Sequence, residues 1–192
     1  ATWDIGSFQA QVSIQVLVKM GSQVTEPNAM KLSVFYVADA AVALDLWVNG
    51  WFGTHDPYIA ETKGKVKPVG NVMPKGGLQG YLIDKKTADK FKIKSVMDIK
   101  KHAKEFDSNG DGKADMVACP PGWGCEKQIT KHFAELGLGD FINPIQADYS
   151  ASMADAIAKQ KNGKSVLFYT WTPNWTVGAL ELGKDIVWIE VP

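Results

Sequence analysis

The stretch Cys119-Pro-Pro-Gly-Trp-Gly-Cys125 places a tryptophan on a short, stiff loop between the two cysteines of the chain. Its prolines fix φ and remove two backbone donors, whereas its glycines permit sharp turns and the close approach of another group. Residues 126–129 predict a helix that begins at the second cysteine. The amides of Gly124 and Cys125 would then point out of a helix N-terminus, which favours an anion. The loop therefore offers an aromatic face for a cation beside N–H groups for an anion, as a small zwitterion requires.

The composition excludes several classes of partner. The 192 residues include 21 basic and 21 acidic side chains, so there is no basic field for nucleic acid or anionic lipid. Every one of those basic residues is a lysine, and no guanidinium can therefore clamp a carboxylate or a phosphate. No apolar run approaches the roughly 20 residues that span a bilayer. An anionic ligand group must rely on lysine, histidine, hydroxyls or backbone amides.

Helix and strand patterns alternate along the chain, which is typical of the α/β class. Residues 5–20 predict a helix that Gly21 ends, and Val24 lies in a predicted short strand. A capping-box pattern at Ser152-Met-Ala-Asp155 predicts the start of another helix, which runs to Lys161. The buried strand predicted at 165–169 runs into a loop that carries Trp171. Because open α/β sheets bind ligands where strands end, this loop is a second candidate for the site.

Four stretches resemble the periplasmic glycine betaine/proline betaine binding proteins, which are the solute-capturing subunits of ABC importers. They are PGWGCE at 121–126, QGYLIDKKTADKFKI at 79–93, FDSNGDGKAD at 106–115 and YTWTPNW at 169–175. The resemblance implies an α/β, periplasmic binding protein-like fold of two lobes, with mixed sheets flanked by helices and no cofactor. Because the family's proteins are longer, we expect an incomplete first lobe at 1–80 and a second lobe at 81–192 that carries the ligand loop.

The same resemblance implies a site in which aromatic rings enclose the cation and N–H groups hold the carboxylate. The implied ligand-binding residues are Trp51, His55, Trp123, Gly124, Cys125 and Trp171. It also implies a disulfide between Cys119 and Cys125. On their own, Trp51 would be interpreted as core packing and His55 as a helix-capping or surface histidine. Only the accompanying motifs give these two residues a role in binding.

The function implied is high-affinity binding of glycine betaine or proline betaine for delivery to the membrane permease of an ABC importer, in the periplasm or another extracytoplasmic space. The alternatives are a binder of choline, carnitine or trimethylamine N-oxide, and a non-binding structural fragment. Catalysis is not expected, because the sequence has no GxSxG elbow, HExxH motif or phosphate-binding loop. An incomplete first lobe would expose apolar surface, so self-association is also expected.

The segment 107–115 resembles the first part of a calcium-binding loop. Its candidate oxygen ligands are Asp107, Asn109, Asp111 and Asp115. Ala118 occupies the position where such a loop has its bidentate glutamate. We therefore predict an Asx-rich turn without a metal, with calcium as the alternative.

Overall fold

The computed structural model describes residues 4–27, 30, 34–36, 53, 55–71 and 73–192. Its contacts divide the chain into two compact units, Ala1–Lys75 and Gly76–Pro192, which are described separately below. The division into lobes at residue 80 remains a prediction.

In the described part of the first unit, residues 34–36 are helical and two further helices have defined bounds. Helix α1, Asp4–Lys19, ends where Gly21 adopts a φ of +88° and the amide of Ser22 bonds back to the carbonyl of Leu17. The predicted helix and its glycine stop are thus confirmed. The strand predicted around Val24 is wrong, because residues 22–27 form neither a helix nor a strand. Helix α2, Asp56–Glu61, begins directly after His55.

The second unit is built on a five-stranded mixed sheet. Its strands are β1 Leu78–Asp84, β2 Ala114–Val117, β3 Ile142–Ile145, β4 Leu167–Thr172 and β5 Ile186–Ile189. The spatial order is β3-β2-β4-β1-β5. Strand β2 runs parallel to β3 and β4, whereas β1 runs antiparallel to β4 and β5. Three neighbouring strands therefore have their carboxyl ends at one edge of the sheet.

Helices and short turns connect these strands. The helices are α3 Lys85–Phe91, α4 Ile99–His102, α5 Gly124–Leu136, α6 Tyr149–Lys161 and α7 Thr176–Ala179. Helix α5 ends at Gly137, which is left-handed with a φ of +58°. Helix α6 begins earlier than predicted: its N-cap is Asp148, whose carboxylate accepts the amide of Ala151 at 2.9 Å, and not Ser152. This cap places Tyr149 at the first helical position.

The core of the second unit lies against the sheet and extends to the cysteine loop. Tyr81, Ile83 and Met116 are fully buried on the strands, and Ile129 of α5 packs into the same cluster. Cys119 also belongs to this cluster, so the loop that follows β2 is attached to the core at its first residue. The mixed sheet flanked by helices confirms the predicted α/β class for this unit.

Candidate ligand-binding site

Three aromatic residues meet where the three parallel strands end. The segment after β2 carries Trp123, the turn after β3 leads into Tyr149, and β4 carries Trp171 near its end. Residues that are 22 and 26 positions apart in sequence are brought together by strand order alone. The carboxyl edge of parallel strands is where open α/β sheets place ligands.

The cysteine loop is held at both ends. The disulfide between Cys119 and Cys125 is present, with 6.0 Å between the two Cα atoms, and it confirms the predicted pairing. Within the loop, the amide of Trp123 donates to the carbonyl of Pro120 at 3.2 Å. The ring of Trp123 is half-buried and packs against the core. The tryptophan is thus mounted on a loop that is closed covalently and anchored by packing.

The beginning of helix α5 lies next to this ring. Trp123 is the N-cap residue, and its side chain makes no capping hydrogen bond. The first amides of a helix have no acceptor within the helix, so Gly124 and Cys125 present N–H groups at its positive end. Both residues are half-buried. Such a terminus suits a carboxylate better than a cation.

The rings of Trp123, Tyr149 and Trp171 form one cluster. The centroids of Trp123 and Trp171 are 5.8 Å apart, and their planes meet at 70°. Tyr149 lies 5.9 Å from Trp123 and 5.0 Å from Trp171, tilted by about the same angle, 36° and 35°, to each. Tryptophan faces set at a steep angle form a corner that suits a diffuse cation without hydrogen-bond donors.

The first unit contains a buried histidine, which is described here within that unit alone. His55 is 5% exposed, and its Nδ1 lies 3.2 Å from the hydroxyl of Tyr36. Burial lowers the pKa of His55 to about 4, although the charge of Asp56 acts in the opposite direction. The ring is therefore neutral at pH 7. When Tyr36 donates to Nδ1, the ring proton is on Nε2, which makes His55 a neutral donor.

The structure thus brings together only part of the predicted set. Trp123, Gly124, Cys125 and Trp171 lie at one edge of one sheet, whereas Trp51 falls outside the described residues. Tyr149 is the aromatic residue that sequence reasoning missed. Its contact with both tryptophans depends on the strand order of the sheet, and no local pattern in the sequence indicates it.

The Asp-rich segment forms a turn closed by its own donors. The carboxylate of Asp107 accepts the amides of Gly110 at 2.6 Å and Gly112 at 2.8 Å, and these bonds lower its pKa. The side-chain amide of Asn109 donates to Asp111 at 3.1 Å. Within the described ranges, no three His, Cys, Asp or Glu side chains are grouped so as to hold a metal ion. We therefore keep the prediction that this segment is an Asx-rich turn, with calcium binding as the alternative.

Across the described parts of the chain, no helix combines the length and the apolar character needed to cross a membrane.

Comparison with known proteins shows similarity to the binding proteins of glycine betaine transport systems. The sequence model of the substrate binding domain of ABC-type glycine betaine transport systems matches residues 1–192. The chain is 41% identical over 189 residues to the glycine betaine-binding periplasmic protein OusX of Dickeya dadantii. It is equally similar to the glycine betaine/proline betaine-binding periplasmic protein of Escherichia coli. Each alignment covers 97% of this chain but 57% of the relative, so the chain spans a little over half their length.

Solved structures show the same fold at low identity. The glycine betaine/L-proline-binding protein ProX of Borrelia burgdorferi superposes with a TM-score of 0.78 at 20% identity, covering 99% of this chain and 66% of that one. Lactococcal OpuAC, closed on glycine betaine, gives 0.73 at 19%, covering 98% and 67%. An ABC-transporter choline binding protein, unliganded and semi-closed, gives 0.72 at 18%, covering 98% and 62%. These similarities confirm the predicted binding-protein fold.

Proposed function

Because the chain belongs to the family of substrate binding domains of ABC-type glycine betaine transport systems, we propose that it binds glycine betaine or proline betaine for delivery to the permease of an ABC importer. We place it in the periplasm or another extracytoplasmic space. The names of its relatives and its disulfide, which is typical of oxidising compartments, support that location.

One observation carries the proposal: two tryptophan faces stand directly beside a helix N-terminus without a side-chain cap. A trimethylammonium group cannot donate a hydrogen bond, so it is best bound by aromatic faces, and tryptophan provides the strongest one. The carboxylate of a betaine lies a few bonds from that cation. An aromatic corner adjacent to free N–H groups matches both ends of such a molecule.

The remaining contacts enter the proposal on sequence resemblance. His55 is the proposed third donor to the carboxylate, and its neutral, buried ring supports a role as donor without a charge of its own. Trp51 is the proposed third aromatic face. Neither the binding residues nor the ligand requires a metal or a covalent step, and we propose binding without catalysis.

Isothermal titration calorimetry tests the proposal with glycine betaine, proline betaine, choline, carnitine and trimethylamine N-oxide. The two betaines should bind most tightly, and Trp171→Phe should weaken them. Trp188→Phe is the matched control, because Trp188 lies on the edge strand β5, which β1 separates from β4. There it packs over Gly80. Absence of heat with every ligand would support the alternative of a non-binding fragment. Preference for choline would support the alternative that the chain binds choline, carnitine or trimethylamine N-oxide.

A further inference from the structure

Tyr149 occupies an unusual place in the aromatic cluster. It is the ring that contacts both tryptophans, yet it is only 4% exposed and cannot itself present a face to a ligand. By contrast, Trp123 is half-buried and Trp171 is 9% exposed. The tyrosine therefore stands behind the two tryptophans as a support.

The hydroxyl of Tyr149 is fixed by a buried polar network. It is hydrogen-bonded to the carbonyl oxygen of Tyr169 and to Oγ1 of Thr170, both at 2.9 Å. Thr170 Oγ1 lies 2.7 Å from Oγ1 of Thr176, whose amide donates to the side chain of Asn174 at 3.1 Å. Burial raises the pKa of Tyr149, so the hydroxyl keeps its proton.

This network surrounds Trp171 in the sequence. Its members on β4 come immediately before Trp171, and its members on the next turn follow it closely. The ring of Tyr149 meets Trp171 while its hydroxyl holds the backbone that carries Trp171. Since helix α6 starts at Tyr149, one residue ties the beginning of α6, the end of β4 and the cysteine loop together.

We propose that Tyr149 is a positioning residue that sets the angle between Trp123 and Trp171. A ring tilted by about 35° to each tryptophan, and fixed at its far end, leaves neither indole free to rotate toward the other. Without the anchoring hydroxyl, the corner between the indoles loses its fixed shape. This inference deepens the proposed function and rests on it for the binding measurements.

The test compares Tyr149→Phe, which keeps the ring and removes the anchor, with Tyr81→Phe. Tyr81 is a buried tyrosine of the same sheet whose hydroxyl bonds to Nδ1 of His132 at 3.1 Å, and neither tryptophan is among its ring partners. We expect Tyr149→Phe to weaken glycine betaine and choline by the same factor, about three- to tenfold, as befits one hydrogen bond. Tyr81→Phe should leave both affinities unchanged. Thr170→Val removes a hydrogen-bond partner of the Tyr149 hydroxyl and should weaken both ligands by a similar factor. This variant provides the test if Tyr149→Phe does not fold.

A second readout is independent of any ligand. In protein labelled with 5-fluorotryptophan, the fluorine resonances of Trp123 and Trp171 are identified by their loss in the Trp→Phe variants. Tyr149→Phe should shift or broaden these two signals and leave that of Trp188 on β5 unchanged, whereas Trp175 stands between two members of the network and is not used as a reference. If the unaltered protein binds nothing, the proposed function fails while this spectrum still decides on Tyr149. Wild-type spectra and affinities in Tyr149→Phe, or an equal loss of affinity in Tyr81→Phe, would overturn the inference.

Discussion

Choline is the informative competitor of glycine betaine, because it keeps the trimethylammonium cation and lacks the carboxylate. The two described tryptophan faces contribute about 0.5–2 kcal/mol each, or about 1–4 kcal/mol together. A micromolar dissociation constant corresponds to about 8 kcal/mol. The aromatic corner is thus too weak by itself, and a third face from Trp51 would not close the gap. High affinity requires the anionic end of the ligand.

The helix N-terminus supplies that end in our proposal. Hydrogen bonds to a charged group contribute about 1.5–3 kcal/mol each, so the amides of Gly124 and Cys125 amount to about 3–6 kcal/mol. The hydroxyl of choline recovers at most one neutral hydrogen bond, about 0.5–1.5 kcal/mol. The difference, about 1.5–5.5 kcal/mol, predicts that glycine betaine binds at least about tenfold more tightly than choline, with roughly three-hundredfold near the middle of the range.

Calorimetry on three proteins separates the two ends of the site. Trp171→Phe should weaken both ligands and leave the ratio of their dissociation constants unchanged, because it alters only the cation's surroundings. His55→Ala should weaken betaine far more than choline and so reduce the ratio. If choline binds the unaltered protein as tightly as betaine does, the helix N-terminus is not a carboxylate site and the reasoning is refuted.

Further predictions concern the rest of the chain. Thiol titration in denaturant without reductant should find no free thiol, because Cys119 and Cys125 are bonded; two thiols would contradict the structure. Between pH 6.5 and about 4 the unfolded chain binds a proton at His55 that the folded chain does not. The free energy of unfolding should therefore fall on acidification through this window, by up to about 1.4 kcal/mol per pH unit, and His55→Gln should flatten that slope. The chain should self-associate in sedimentation runs, because two large apolar side chains are exposed: Phe8 on α1 (69%) and Met20 directly after it (75%). A stable, cooperative monomer would count against this. Calcium added after chelation should not raise the melting temperature, and a rise would restore the metal alternative for the turn at 107–115.

Local signals in the sequence predicted helix α5, helix α6 and strand β4 of the second unit. Gly137 stops α5 because a glycine accepts the left-handed conformation there, and this can be read from one residue and the pattern before it. Strand β2 was not predicted, because its first two residues belong to the Asp-rich segment 107–115 and its four residues carry too short a pattern to stand out. The start of α6 was predicted at Ser152 from its capping-box pattern, whereas in the structure Asp148 caps the helix.

The candidate site shows the same division between local and long-range information. The loop with Trp123 and the amides after it could be predicted, because proline, glycine and a helix start are local features. Trp171 was predicted in the loop after a strand that ends at residue 169, but that strand is longer than predicted and Trp171 lies on it. The contact of both rings with Tyr149 depends on β2 lying between β3 and β4. The strand order is known only from the pairing of strands in the structure. Because the sequence did not predict β2, it could not predict that order.

The fold by itself does not choose the ligand. A glycine betaine complex and a choline binding protein superpose on this chain almost equally well, with TM-scores of 0.73 and 0.72. The choice must therefore lie in side chains and amides placed at the edge of the sheet. In our proposal the aromatic corner accepts any trimethylammonium group and so fixes the class of ligand. We further propose that the N–H groups at the start of α5 distinguish members of that class, since only a ligand with an anionic end gains from them. We therefore expect selectivity for betaine over choline to depend on the helix N-terminus and His55. Affinity for the whole class of ligands should depend on the geometry of the two indoles.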